Sequence, residues 1–288
     1  MAVIIKKGTE TIIQGITGAN AQLHTKFMLE YGTKVVGGVT PGKGGEKVHN
    51  VPVYDTVSEC MRKHPDIEVS SIWVPARFAK DAILEAIDAG VKTVIVITER
   101  IPIHDMLYVR KIAEEKGTLV IGGNTPGIIS PGESLVGMLP GITFSKGRIG
   151  TVARSGAITY YIANSLTLAG MGESTSVGLG GDPVLGTNFD GILKLFDEDK
   201  DTDAVVMAGE LGGVCEETAA KFIKNMHKPV IAFIAGKAAP KGKRLGHAGA
   251  IIEGNMGTVE SKITALKEAG AIISETLSEI PDLIKKAI

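Results

Sequence analysis

The chain has 288 residues, 44% of them hydrophobic, and a formal net charge of −1. That length suits two domains with ordinary cores. The absence of a basic excess argues against a nucleic-acid partner. No apolar run approaches the ~20 residues that span a bilayer. The opening MAVIIKKGTE lacks the long apolar core of a secretory signal. A cytoplasmic protein with no membrane partner is expected. Two cysteines, Cys60 and Cys215, without CxxC spacing rule against a disulfide framework. The six histidines form no HxxxH or HExxH pair, so no metal is expected.

Short apolar, β-branched runs alternate with helical stretches along the chain. Strands are expected at 11–15, 34–39, 69–74, 92–98 and 118–121, and again at 148–152, 174–179, 204–209, 229–234 and 271–274. Apolar strands separated by helices imply parallel sheets buried on both faces. In the first helix Leu23, Phe27 and Tyr31 lie four apart, which predicts a buried face, with Gly32 as its stop. Ile83, Ala86 and Ile87 form a second such face, closed by Gly90. The stretch 122–147 breaks the pattern with three prolines and seven glycines. It reads as an ordered connection whose Ile128, Ile129, Leu135, Val136, Met138 and Leu139 seek burial. The fold class expected is α/β: a Rossmann-like N-terminal domain over 1–145 and a second parallel, flavodoxin-like domain over 146–288.

The first strand runs into Gly15, Gly18 and Ala21, a G-x-x-G-x-x-A relative of the dinucleotide fingerprint. Such a turn presents backbone N–H groups and a helix N-terminus to a phosphate; a tight βα turn without ligand is the plain alternative. NAD needs an acidic residue at the end of the second strand. The sequence there is VVGGVTPGKGG, with no acid before Glu46. Gly37 to Lys43 nearly makes a phosphate-binding P-loop, but Gly44 stands where a magnesium-holding Ser or Thr belongs. Lys43 is therefore either a phosphate contact for another ligand or a solvated loop lysine.

His247 lies in APKGKRLGHAGAII, among small residues that leave an imidazole accessible, with Lys241, Lys243 and Arg244 upstream to attract phosphate. This composition fits an imidazole that accepts and releases a phosphoryl group; a satisfied loop histidine fits it equally. A nucleophilic histidine needs an orienting carboxylate, and Glu210, ending the strand AVVMAGE, is the candidate. A cradle is available at Arg154-Ser155-Gly156, where a strand end opens a helix. The glycine-rich 178–183 stretch ends another strand and can line the same crevice.

Taken together, GITG (15–18), GGVTPGKGG (37–45), ITE (97–99), GNTPGIISPGE (123–133), RSG (154–156), GGDP (180–183), GE-x-GG (209–213) and the histidine loop (239–252) resemble the alpha subunits of succinyl-CoA synthetases, over essentially the whole chain. The resemblance implies a nucleotide-dependent acid–CoA ligase in which the first domain binds CoA. Thr17, Gly18, Ala19, Asn20, Lys43, Ile97, Thr98 and Glu99 would contact the CoA. The second domain would carry His247 as the phosphorylated residue, with Glu210 bonded to it. Tyr160, Ser155 and Gly156 would serve the phosphate and acid site. It further implies a beta subunit with an ATP-grasp domain that binds the Mg-nucleotide, ATP or GTP. Several positions depart from the family's common pattern: Ala21, Arg77, Arg100, Gly123, Thr125, Ala153, Ala157 and Tyr161. Those near the acid site leave malate or citrate open beside succinate. A non-catalytic CoA-binding regulator is the alternative from another class, one that requires neither His247 nor Glu210.

Overall fold

The structure, a computed structural model, describes residues 3–237, 247 and 257–288. Two seven-stranded sheets organise it. The first contains β1 (Glu10–Gln14), β2 (Lys34–Val39), β3 (Lys47–Val48), β4 (Val51–Tyr54), β5 (Ile67–Ile72), β6 (Thr93–Val96) and β7 (Leu119–Gly122). Its helices are α1 (Ala19–Tyr31), α2 (Val57–Lys63), α3 (Ala76–Asp88) and α4 (Ile103–Lys116). The strand order is β3-β4-β2-β1-β5-β6-β7, parallel except for the short β3–β4 pair. Ile12 and Ile13 are both fully buried but pack into different apolar clusters. Adjacent residues of a strand face opposite ways, so this sheet is covered on both sides.

The second sheet contains β8 (Gly127–Ser130), β9 (Ser134–Gly137), β10 (Lys146–Ala153), β11 (Glu173–Gly178), β12 (Ala204–Glu210), β13 (Val230–Ala235) and β14 (Ile272–Ser274). Around it lie α5 (Gly156–Leu168), α6 (Phe189–Glu198), α7 (Cys215–Ile223), α8 (Val259–Glu268) and α9 (Ile280–Ala287). Its order is β14-β13-β12-β10-β11-β8-β9. The five strands from β14 to β11 are parallel in a flavodoxin-like order, and the β8–β9 hairpin joins antiparallel. The second sheet is thus mixed rather than wholly parallel.

Each of the ten apolar runs forms a strand within two residues of its expected place. Two expectations need correction. The inward face of α1 is Ala21, Thr25 and Met28, whereas Leu23 and Phe27 are 50% and 46% exposed. Small residues let the helix start close to the glycine turn; Phe27 instead meets the ring of His24, which stacks on Trp73 at 5.2 Å between centroids. Met138 is also exposed, while Ile128, Ile129, Leu135, Val136 and Leu139 are buried. Gly32 ends α1 in the left-handed region at φ 97°.

The 122–147 connection supplies β8 and β9 to the second sheet, so by sheet membership this hairpin goes with residues beyond 146. Its outer strand does not end in solvent. Thr33 Oγ1 donates to Leu135 O at 2.7 Å and accepts from Leu135 N–H at 3.0 Å. Met28 Sδ accepts Gly137 N–H at 3.4 Å. Side chains at the end of α1 therefore satisfy the free edge of the other sheet, which joins the two halves and blocks edge-to-edge pairing. Removing the Thr33 hydroxyl strands two buried backbone groups. Leaving each unpaired costs about 1–3 kcal/mol. Thr33→Val is expected to lower unfolding free energy by about 2–6 kcal/mol in urea titration; a change below about 0.5 kcal/mol would show that the edge contact contributes nothing.

Candidate active site

Both sheets place loops at the C-terminal ends of their strands, where the order reverses, and crevices for ligands form at such points. In the first sheet this point lies between β1 and β5. A cleft of about 610 Å³ opens there. Gly15, Thr17 and Gly18 line it from the β1 turn, Val39, Thr40 and Pro41 from the end of β2, and Trp73, Val74, Pro75 and Phe78 from the end of β5 and the start of α3. Gly15 is required by conformation and by space: its φ is +81°, and an added Cβ would lie 3.2 Å from the backbone of Trp73 and Val74. The N-terminus of α1 has no side-chain cap and no acidic residue in its first turn, so its positive end is available to an anion.

The residues expected to contact a ligand here divide. Thr17 and Gly18 line the cleft, and Ala19 and Asn20 lie exposed at the start of α1. Lys43 does not line the cleft and pairs with Glu46 at 3.0 Å on the surface. Ile97 is buried, Thr98 Oγ1 donates to Val74 O at 2.7 Å, and Glu99 is exposed beside Arg100. That strand end braces the cleft wall through Val74. Sequence reasoning missed Trp73, Pro75 and Phe78. The signal was the WVPARF segment following an apolar strand, which brings a bulky apolar wall to a strand's C-terminal end.

The second crevice lies between β10 and β12. Strand β12 is buried along its whole length and ends in Glu210. His247 Nδ1 lies 2.8 Å from Glu210 Oε2 and 3.0 Å from Oε1. A carboxylate only accepts, so Nδ1–H is the donor and, in the neutral ring, Nε2 carries the lone pair. Arg154, 3% exposed, reaches Glu210 from the other side, Nε to Oε1 at 3.4 Å. It also donates to the carbonyls of Gly180 at 3.3 Å and Asp182 at 3.1 Å. Its charge therefore lies beneath the carboxylate rather than out in the crevice. Gly181 supplies the remaining wall, since a Cβ there would fall 2.4 Å from the imidazole. The Asp182 carboxylate accepts the N–H groups of Arg100 and Ile101 at 3.2 and 3.3 Å, joining this crevice to the β6 strand end of the first sheet.

Ser155 caps α5 in extended conformation without spending its hydroxyl on the cap, and no acid occupies the first turn of that helix. Gly156 lies close to Pro126 and the Tyr160 hydroxyl, each 3.3 Å from where its Cβ would be. Tyr160 is half-buried, and burial pushes its phenol pKa up. The expected cradle lysines and arginine, Lys241, Lys243 and Arg244, lie outside the described residues, as does the rest of the histidine loop except His247 itself. Among the described residues no cluster of three His, Cys, Asp or Glu could hold a metal ion, and no helix is long and apolar enough to cross a membrane.

The Glu210 hydrogen bond raises the His247 pKa above its ordinary 6.5; burial opposes it, Arg154 opposes it and Asp182 adds to it. A raised folded-state pKa means that protonation of His247 stabilises the fold fully below the unfolded pKa. That contribution is lost as pH rises through the folded pKa. His247 is therefore expected to titrate above 6.5 by ¹⁵N NMR, and Glu210→Gln to move its midpoint down. An unchanged midpoint in Glu210→Gln would mean that this carboxylate does not hold the imidazole.

Comparison with known proteins agrees with this geometry. The family described as CoA binding domain matches residues 6–100, and the family described as CoA-ligase matches residues 152–272. The chain is 52% identical over 288 residues to succinate–CoA ligase [ADP-forming] subunit alpha 1 of Archaeoglobus fulgidus, covering 100% of this chain and 99% of that one. It is 51% identical over 292 residues to the corresponding alpha subunit of Staphylococcus epidermidis, covering 100% and 96%. Among solved structures, the ATP citrate lyase of Methanosaeta concilii superposes with a TM-score of 0.89 at 21% identity, over 99% of this chain and 50% of that one. The dinucleotide-forming acetyl-coenzyme A synthetase 1 of Ca. Korarchaeum cryptofilum gives 0.72 at 21%, over 96% and 60%. This chain spans about half of the former's length and about three-fifths of the latter's, and both share its fold. With two crevices at the reversal points of two sheets, and relatives matched from end to end, the chain belongs to the family of succinate–CoA ligase alpha subunits.

Proposed function

We propose that this chain binds CoA through residues 1–145 and carries a phosphohistidine at His247 on residues 146–288, as one subunit of a succinate–CoA ligase. The observation that carries this reading is the 2.8 Å bond from His247 Nδ1 to Glu210. It fixes the tautomer, leaves the lone pair on Nε2, and sets a negative charge beside the imidazole as the ring becomes cationic. Nε2 attacks the terminal phosphorus of a nucleoside triphosphate; the bond to the bridging oxygen breaks and the diphosphate leaves. A succinate oxygen then attacks the same phosphorus, the N–P bond breaks, and His247 is regenerated as acyl phosphate forms. The CoA sulfur attacks the acyl carbon, the C–O bond breaks, and inorganic phosphate leaves. Every step is reversible. The start of α5, with Ser155 and Gly156, supplies N–H groups to the transferred phosphoryl, and Tyr160 borders the acid.

The cleft at the β1–β5 reversal suits CoA. Its apolar wall of Trp73, Pro75 and Phe78 accommodates an aromatic base or a pantetheine arm, and the uncapped α1 N-terminus suits phosphate. Thr40 stands at the end of β2, where a dinucleotide site would place its ribose-binding acid. Thr17, Gly18, Ala19 and Asn20 are the proposed phosphate-side contacts, with Lys43 a further proposed contact that would have to leave Glu46, and Ile97, Thr98 and Glu99 on the side facing the second crevice. The Mg-nucleotide is assigned to a beta subunit with an ATP-grasp domain, and the assembly to the cytoplasm. ATP or GTP, leaving as ADP or GDP, serves the same chemistry.

Two measurements test the reading. Calorimetry on the chain should detect CoA and no NAD; the reverse would overturn the cleft assignment. In the complex with its partner, γ-labelled nucleotide should place an acid-labile label on His247 that succinate plus CoA discharges. His247→Asn should abolish label and turnover while CoA affinity stays the same. Glu210→Gln should slow phosphorylation about 10²–10⁴-fold, the usual range for a lost acid–base partner. Wild-type turnover in His247→Asn would refute the mechanism.

A further inference from the structure

Lys262 and Glu216 form an ion pair in which both side chains are fully buried. A buried pair is a poor device for stability, because the cost of taking two charges out of water offsets their attraction. Its remaining contacts are specific. Glu216 Oε1 accepts the backbone N–H of Glu210 at 3.0 Å, and Lys262 Nζ donates to Gly212 O at 2.8 Å. The pair thus holds the chain immediately at and just after the residue whose carboxylate meets His247. Gly209 shows how closely this is fitted: a Cβ there would lie 2.5 Å from Glu216 Oε1. The pair also reaches the far side of the histidine loop. Lys262 lies on α8, the helix after that loop, and Gly257, where the described chain resumes, accepts Gly212 N–H at 2.8 Å. A second carboxylate, Glu217, lies 3.8 Å from Lys262, so the ammonium faces two acids and a carbonyl.

We propose that the Lys262–Glu216 pair is a positioning device that sets the Glu210 carboxylate at hydrogen-bond distance from His247. A pair that only held α7 to α8 would have no need of the backbone at 210 and 212. Burial raises the Glu216 pKa, and the Lys262 charge opposes that rise; removing Lys262 therefore leaves Glu216 free to take a proton, turn, and release the Glu210 N–H. The inference rests on the phosphohistidine reading for its catalytic consequence, but its geometric content concerns Glu210 and His247 alone.

The test compares wild type, Glu210→Gln, Lys262→Met and the double variant Lys262→Met/Glu216→Leu, each in the complex with the partner subunit. The double variant replaces both charges with apolar groups, a change that buried pairs commonly tolerate, so it keeps the question answerable where Lys262→Met alone unfolds. Single-turnover labelling at His247 should slow about 10²-fold in Lys262→Met and in the double variant, the scale expected for a misplacement of about 1 Å. CoA affinity should not change. The His247 midpoint, followed by ¹⁵N NMR on the full chain, should fall toward that of Glu210→Gln. Among the described residues the groups that face this imidazole are Glu210, Arg154 and Asp182, and neither Lys262→Met nor the double variant alters them. A folded double variant with wild-type labelling rate and wild-type midpoint would overturn the proposal. If wild type takes no label at His247, the phosphohistidine reading fails by itself, and the midpoint comparison still decides whether the pair positions Glu210.

Discussion

A carboxylate at the end of a buried strand is shared between a buried arginine and a half-buried imidazole, and the second half of the molecule is arranged around that sharing. Glu210 is held on one side by Arg154 and on the other by His247. Three strand ends converge to make this possible. Strand β12 delivers the acid, β10 delivers the arginine, and the turn after β11 delivers the carbonyls that hold the guanidinium. Arg154 pairs with the carboxylate in a poorly solvated place, and the carboxylate in turn holds one nitrogen of His247. With the arginine spent inward, what the start of α5 offers an anion is its backbone N–H groups and dipole, at no cost in side-chain entropy.

Much of this was legible in the sequence. Continuous apolar runs such as AVVMAGE and TVIV announce strands buried on both faces, and their alternation with helices announces parallel sheets. His247 and Glu210 stood out because a reactive imidazole needs small neighbours and a partner acid, and the structure brings the two together. The direction in which Arg154 points was not legible, since a strand-end arginine reads equally well as a surface cradle. Residues 127–137 were read as connection because four-residue strands bracketed by Pro126, Pro131 and glycines carry too few residues for a period to register. The face of α1 was misread for a related reason. Spacing of four selects Leu23 and Phe27, but close approach to the glycine turn favours the small Ala21 and Thr25. The roles of Glu216 and Lys262 left no trace at all, because a buried ion pair looks in sequence like two solvated helix residues.

The two crevices are not independent. The β6 strand end connects them through a short chain of bonds. Thr98 donates to Val74 in the cleft wall, Asn124 N–H donates to the carbonyl of Thr98, and the next residues, Arg100 and Ile101, donate to Asp182 beside the wall of His247. Asp182 carries a carboxyl pKa raised by burial and lowered again by those two N–H groups. The segment 97–101 therefore braces the walls of both crevices.

The hairpin that the sequence disguised as a connection has a consequence for how the chain can be divided. Its outer strand β9 is buried at every residue, and its free N–H and C=O groups end on Thr33 and Met28 of the other half. The two stretches matched by family, 6–100 and 152–272, both omit it. A fragment carrying only the second sheet would keep β9 without its cover, and an uncovered apolar edge recruits further strands. A fragment carrying only the first would expose Met28 and Thr33 to water. The boundary that looks natural by homology is thus the wrong place to cut, because each half covers what the other would expose.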